Sequence, residues 1–312
     1  LWQAVLGRGS VIGGEVIARA DFVDYTGSSA TGRIIGRQAG ERLIGCSLEL
    51  GGKNPLLVLG DADVAAAARI AVRACFASAG QLCESIERVY VHDRVYDRFV
   101  TAFVAATEAV RLGAELDYSY EMGSLTFPRQ LDTVTAHVED AVAKGATVLA
   151  GGRARPDLGP YFYEPTVLEG VRPDMVVHRE ETFGPVVSVY RVHSDDEAVE
   201  QANDTPYGLN ASVWSRDTAR ARQVAARIHA GSVNINEGFI AAWGSVAAPS
   251  GGLGISGTGR RHGPEGLLKY VDTQTIAVQR VLPIAPLPGM SESMWAKTMT
   301  LYFGVMKALR QK

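Results

Sequence analysis

The chain is poor in the residues that build metal clusters and disulfide scaffolds: its 312 residues include only three cysteines, Cys46, Cys75 and Cys83. Their spacing matches no metal-ligand pattern, and an odd number cannot pair completely within one chain. No metal is therefore expected, and a reducing cytoplasm is. Charge of one sign is equally scarce. The 31 lysines and arginines face 34 aspartates and glutamates, a formal net charge of −3, and Arg260-Arg261-His262 is too short to be a polybasic tract. Neither nucleic acid nor a membrane is expected as a partner. Long apolar runs are missing too, since Arg69 and Arg73 interrupt the alanine-rich stretch 64–76. The first residues show no basic region followed by an apolar run, so no secretory leader is expected. None of the six histidines (His92, His137, His178, His193, His229, His262) sits in a nucleophile-elbow or metal-ligand context, which sets a histidine-based triad aside.

What is present describes an α/β protein of about two domains, with 46% hydrophobic residues, 21% charged residues and 34 glycines. Residues 18–25 read as a helix end passing into a short strand. Thr26-Gly27-Ser28-Ser29 then turns into a helix running to about Ala39, and the free amides at such a helix start suit an anion. Cys46-Ser47-Leu48-Glu49 reads as a second strand. The continuous apolar run Pro55-Leu56-Leu57-Val58-Leu59 predicts a buried strand, followed by a helix capped by Asp61 or Asp63. Further strands are expected at 88–92, 147–150, 165–168, 186–190 and 211–214. Helices are expected at 95–110, after Pro128, after Asp195-Asp196 and at 218–229. Strands alternating with helices argue for a mostly parallel sheet. After Asn236 glycine dominates. Residues 273–280 then alternate as an edge strand that invites pairing with another subunit, and Pro283, Pro286 and Pro288 lead to a final helix.

Two signals 34 residues apart carry the chemistry: Leu48-Glu49-Leu50-Gly51-Gly52-Lys53 and Gly80-Gln81-Leu82-Cys83. A lone cysteine is usually a small buried hydrophobe, and Cys46 and Cys75 fit that description. Cys83 differs, because it follows Ala79-Gly80-Gln81, where a helical pattern breaks into a loop and glycine admits close approach to the sulfur. Taken alone, a glutamate before Gly-Gly-Lys is usually a surface charge. Leu48 and Leu50 bracket Glu49 in strand-like alternation, however, which turns its carboxylate away from the apolar side, into a cleft or into solvent. Cysteine and glutamate suit two-step acyl chemistry, in which the thiol takes an acyl group and the carboxylate directs water to release it. Glu84, next to Cys83, works against a preformed thiolate.

With Tyr25-Thr26-Gly27-Ser28, Glu181-Thr182-Phe183-Gly184-Pro185 and the run from Gly251-Gly252 to Ser256-Gly257-Thr258-Gly259-Arg260, these motifs resemble the aldehyde dehydrogenase superfamily in order and spacing. Asn236-Glu237-Gly238, Ala242-Trp243-Gly244-Ser245 and Arg260-Arg261-His262-Gly263 look most like the actinobacterial succinate-semialdehyde dehydrogenases. The resemblance implies an α/β, aldehyde dehydrogenase-like fold: the tail of a Rossmann-type NAD(P)-binding domain (1–51), a catalytic domain (52–254), and a returning segment with an oligomerisation strand and a C-terminal helix (255–312). It implies Cys83 as nucleophile, its amide contributing to an oxyanion hole, and Glu49 as the base for water. Glu181 and Phe183 would meet the nicotinamide ribose, Gly27 and Ser28 the dinucleotide, and Asn236 would sit near the substrate tunnel. NAD or NADP is the implied cofactor, an aldehyde the substrate, and a homo-oligomer the assembly.

Some features depart from the family pattern. The family's chains carry a large segment, with the first Rossmann strands, that has no counterpart ahead of Leu1. The chain is therefore expected to bind cofactor poorly and to be inactive alone while a longer parent is active. Arg261 stands where many relatives carry a glutamate, and Ala77 where some succinate-semialdehyde enzymes place a carboxylate-binding arginine. Three other readings remain: a coenzyme A-acylating dehydrogenase, a cofactor-independent cysteine esterase or thioesterase, and a non-catalytic oligomerisation fragment.

Overall fold

A computed structural model describes residues 2–280 and 284–310. It divides into two compact units, 1–270 and 271–312. In the first, a helix (Gly9–Ile17) precedes β1 (Phe22–Thr26), a second helix (Ser29–Glu41) and β2 (Gly45–Glu49). A longer run supplies β3 (Asn54–Val58), β4 (Ile86–His92), β5 (Thr147–Ala150), β6 (Thr166–Glu169), β7 (Val186–Val192), β8 (Tyr207–Gly208), β9 (Asn210–Trp214) and β10 (Ser232–Ile235). Two short strands, β11 (Leu253–Gly254) and β12 (Gly257–Thr258), follow.

Ten of these strands make a small sheet in the order β1-β2-β12 and a seven-stranded sheet in the order β10-β9-β3-β4-β7-β6-β5, while β8 and β11 pair antiparallel with each other. All neighbours in the large sheet are parallel except β5 and β6. Every residue of β3 is buried, which is why its sequence is a continuous apolar run rather than an alternation. The helix Val64–Phe76 covers one face of this sheet by burying Ala67, Ala68, Ala71, Ala74 and Cys75, a stripe at helical spacing. Asp63, not Asp61, caps it by accepting from the Ala66 N–H at 3.1 Å. Phe99 and Phe103, from the helix Asp93–Glu108, are fully buried and stack 5.5 Å apart against the same core.

Several local expectations shift. Ser194, rather than Asp195 or Asp196, caps the helix Asp195–Asn203, and the two aspartates fill its first turn. The helix expected at 218–229 ends at Ala225. Strand β10 was not expected, because Ser232-Val233-Asn234-Ile235 is short and half polar; it forms by pairing in parallel with β9. Residues 273–280 carry no strand, since an edge strand needs a second edge to bond with and no described segment supplies one. The final helix spans Glu292–Arg310, and Pro283 lies outside the described residues. No helix among the described residues is long and apolar enough to cross a membrane.

The chain passes from the small sheet to the large one between Glu49 and Asn54. That passage lies at the carboxyl edge of β1 and β2 and at the amino edge of β3, β4, β7 and β9. Loops leading into four parallel strands therefore converge on one short segment.

Candidate active site

Glu49 ends β2, with Leu48 and Leu50 buried on either side in sequence, so its side chain turns away from them. That side chain is 13% exposed, and its Oε1 is buried with no hydrogen-bond partner among the described residues. Burial pushes the carboxyl up to about 7, against the pull of the Arg261 and Lys269 charges. Arg261 Nε lies 3.9 Å from Glu49 Oε1, while its Nη2 donates to Thr26 Oγ1 at 2.6 Å. Lys269 Nζ donates to Asp24 and to Ser47, both at 2.8 Å. Asp24 and Ser47 are register partners on β1 and β2, so both cations are anchored on one face of the small sheet. Strand β12 runs antiparallel to β2 with Gly257 opposite Glu49, which carries the glycine-rich loop back to this edge.

Cys83 comes in on a strained loop. Ser78, Ala79 and Gly80 all have left-handed backbones, with φ of 52°, 54° and 70°. Two non-glycine residues in that region cost about 1–3 kcal/mol each, a strain the surroundings must hold. Gln81 helps to hold it, donating to Ser78 O at 2.9 Å and accepting from Thr126 N at 3.0 Å. Gly80 admits no side chain, because a Cβ there would stand 2.1 Å from the Gly184 carbonyl oxygen. The loop before β7 and the loop before β4 are thereby in backbone contact.

Asparagines fix the cysteine loop from beneath. Asn54 Nδ2 donates to the carbonyls of Cys83 at 2.7 Å and Ser85 at 2.8 Å, and its Oδ1 accepts from Asn210 N at 3.0 Å. Asn210 Nδ2 donates to Glu84 O at 3.0 Å and Gly238 O at 3.2 Å, and its Oδ1 accepts from Asn234 at 2.8 Å. The thiol is half-buried, with Sγ 2.9 Å from Glu84 Oε2. Burial, then the Glu84 carboxylate, and more weakly the Glu49 charge, hold it well above the usual thiol range. The Cys83 N–H opposes that rise without overcoming it. Cys75 is fully buried and inert, its thiol pushed far up by burial.

Glu181 completes the cluster. Gly52 N donates to its Oε1 at 2.8 Å, and burial followed by the charge of Glu87 pushes the carboxyl up to about 7. A Cβ on Gly51 would stand 2.1 Å from Glu181 Oε2, so the Gly-Gly pair lets carboxylate and backbone meet. Its loop is tied down by a buried ion pair: Lys53 Nζ binds Glu87 Oε2, and Glu87 also accepts from Thr182 N at 3.0 Å and Phe183 N at 2.9 Å. Phe183 takes a left-handed φ of 49° there.

The segment 49–54 thus brings together Glu49, Cys83, Glu181 and Phe183. Gly27 and Ser28 join at the small-sheet edge, where Gly27 N donates to Glu49 O at 3.1 Å and Ser28 Oγ caps the helix Ser29–Glu41 through Thr31 N at 3.3 Å. Asn236 does not join. It follows β10 at the opposite edge of the large sheet, exposed, and its amide is spent on Ser215 N and O, each at 3.0 Å. The amide facing the cysteine loop is Asn210 instead. Asn54, Glu87, Asn210 and Lys269 were not foreseen as site residues. The available signal for Glu87 was a charged pair, Glu87-Arg88, inside an otherwise apolar strand.

The profile of the aldehyde dehydrogenase family matches residues 1–276, and the chain belongs to that family. A putative succinate-semialdehyde dehydrogenase [NADP(+)] 2 from Mycobacterium tuberculosis is 54% identical over 299 residues, which cover 96% of this chain and 58% of that protein. Succinate-semialdehyde dehydrogenase [NADP(+)] 1 from Schizosaccharomyces pombe is 37% identical, over 82% of this chain and 51% of its own length. Among solved structures, betaine aldehyde dehydrogenase from Staphylococcus aureus in complex with NAD+ superposes with a TM-score of 0.80 at 35% identity, covering 85% of this chain and 53% of that one. The chain therefore spans little more than half the length of the relatives it matches.

Proposed function

We propose that this chain is the catalytic part of an NAD(P)-dependent aldehyde dehydrogenase that oxidises succinate semialdehyde to the acid. The observation that carries the reading is the meeting, around one glycine-paired segment, of a half-buried thiol, a carboxylate whose buried oxygen accepts no hydrogen bond among the described residues, and a second carboxylate. In it Cys83 adds to the aldehyde carbon, its N–H faces the developing oxyanion, and Glu49 later takes a proton from the water that releases the acid. Residues 1–51 are read as the tail of the cofactor-binding domain, 52–254 as the catalytic domain and 255–312 as a returning segment whose 273–280 edge pairs with a second copy.

The residues present fit a dinucleotide. Glu181 Oε2 accepts no hydrogen bond among the described residues and is open to a ribose hydroxyl, and the helix beginning at Ser29 has no acid in its first turn to repel a phosphate. A nicotinamide dinucleotide, when bound, supplies the hydride acceptor. The relatives' names give NADP and the solved neighbour carries NAD+, and both are candidates for this chain.

The test is oxidation of succinate semialdehyde with NADP+ and with NAD+ by the whole polypeptide encoded around this sequence, and by the 312-residue chain alone. Activity in the former, lost in Cys83→Ser, supports the reading; activity that survives Cys83→Ser ends it. Supplying coenzyme A separates hydrolysis from acyl transfer, and free succinate is the expected product.

Arg261 bears on the pH dependence. Burial raises the Glu49 carboxyl and the guanidinium lowers it, so Arg261→Gln raises it further. The base form is then scarcer at and below about pH 7, and release of the acid slows there while recovering at higher pH. Steady-state rates against pH check this: the acid-limb midpoint moves up in Arg261→Gln.

A further inference from the structure

We propose that Glu84 is the proton acceptor for Cys83, so that the sulfur gives up its proton as it attacks rather than beforehand. The inference rests on the reading of Cys83 as the acyl acceptor and adds a residue to it. Glu84 Oε2 lies 2.9 Å from Sγ, within reach of the S–H proton. This contact is built into the backbone: the carbonyls of Cys83, Glu84 and Ser85 are each held by an asparagine amide, from Asn54 at 2.7 and 2.8 Å and from Asn210 at 3.0 Å. Adjacent side chains on so fixed a turn keep their relation to one another.

Glu49 is placed for a different proton. Its Oε1 has no hydrogen-bond partner among the described residues, and its nearest cation, Arg261, stands 3.9 Å away and is itself tied to Thr26. The charges that act on the thiol are those of Glu84, in contact with it, and more weakly Glu49; those that act most on Glu49 are Arg261, Lys269, Asp24 and Glu84. No cation among these is in position to hold a thiolate at Sγ, and burial opposes one. A thiol in such surroundings reacts through a base that accepts the proton in the transition state.

The step balances. As the Sγ–C bond forms, the carbonyl π pair moves to oxygen and the thiol proton passes to Glu84, whose carboxylate becomes a carboxylic acid. Collapse of that oxyanion breaks the bond to the departing group, nitrophenolate from an activated ester or, in the aldehyde reaction, the hydride that a bound nicotinamide would take up, and leaves the thioester. When water, deprotonated by Glu49, adds to the thioester, the new oxyanion collapses, the S–C pair returns to sulfur and Glu84 gives the proton back.

The experiment uses p-nitrophenyl acetate, whose attack by the thiol releases nitrophenolate without a nicotinamide, on the full chain and on Glu84→Gln, Glu84→Asp, Glu49→Gln and Cys83→Ser. The wild-type acylation rate is expected to stay nearly flat from about pH 6 to about pH 8 and to fall about twofold in heavy water. In Glu84→Gln it is expected to climb about tenfold per pH unit, as for a free thiolate, while iodoacetamide modifies Cys83 at lower pH than in the wild type because a negative neighbour is gone. Glu84→Asp and Glu49→Gln should both keep the flat profile. A wild-type profile already rising at that slope, or a plateau lost in Glu49→Gln and kept in Glu84→Gln, overturns the proposal. A burst that survives Cys83→Ser overturns the acyl-acceptor reading and this inference with it, whereas the other failures leave that reading standing.

Discussion

Replacing Glu49 by glutamine is expected to stop the chemistry halfway, with acylation of Cys83 intact and deacylation slower by about 10²- to 10⁴-fold, the range a positioned general base contributes. The amide keeps the size of the side chain and its place between buried Leu48 and Leu50, so folding is little affected. What it removes is a buried carboxylate oxygen that has no competing hydrogen bond among the described residues. With an activated ester, the variant should release one equivalent of nitrophenolate and then fall silent while the wild type continues to turn over. Equal steady-state rates in the two proteins would mean that some other group directs the water.

The second large effect concerns Lys53. Its side chain is 1% exposed and that of its partner Glu87 3%, and burial pulls the ammonium below its usual range even with the carboxylate beside it. Lys53→Met leaves Glu87 buried without its counter-ion, a change that costs about 3–5 kcal/mol. The expected readout is a lower urea midpoint at unchanged slope, together with a large loss of activity because Glu87 also holds the Thr182 and Phe183 amides. Lys53→Met combined with Glu87→Gln should recover part of the stability, since the stranded charge is then gone. A single-variant loss below about 1 kcal/mol would show that the pair is dispensable.

Much of the fold was legible because periodicity reports burial. The all-apolar run of β3, the alternation around Glu49 and the helical stripe of Val64–Phe76 each mark a surface that had to be covered. Elements that form through pairing rather than periodicity were not legible. β10 has no apolar pattern of its own, and the alternating 273–280 segment shows the converse, a strand-like sequence without a described edge to bond to. The site divides the same way. Cys83 and Glu49 stood out because glycines mark where backbone must come close. Asn54 and Asn210, which fasten the cysteine loop, lie at strand starts where a polar residue is ordinary, and only the three-dimensional crossing of four loops gives them carbonyls to hold. Asn236 misled because an asparagine after a strand serves equally to tie down a turn, as it does here with Ser215.

The most direct measurement identifies which sulfur carries the acyl group. Treating Glu49→Gln with p-nitrophenyl acetate, quenching in acid and mapping peptides by mass spectrometry should place the acetyl group on the peptide containing Cys83 and leave those containing Cys46 and Cys75 unmodified. Acetyl on Cys46, or a Cys83 peptide that stays unmodified while nitrophenolate is released, would contradict the account.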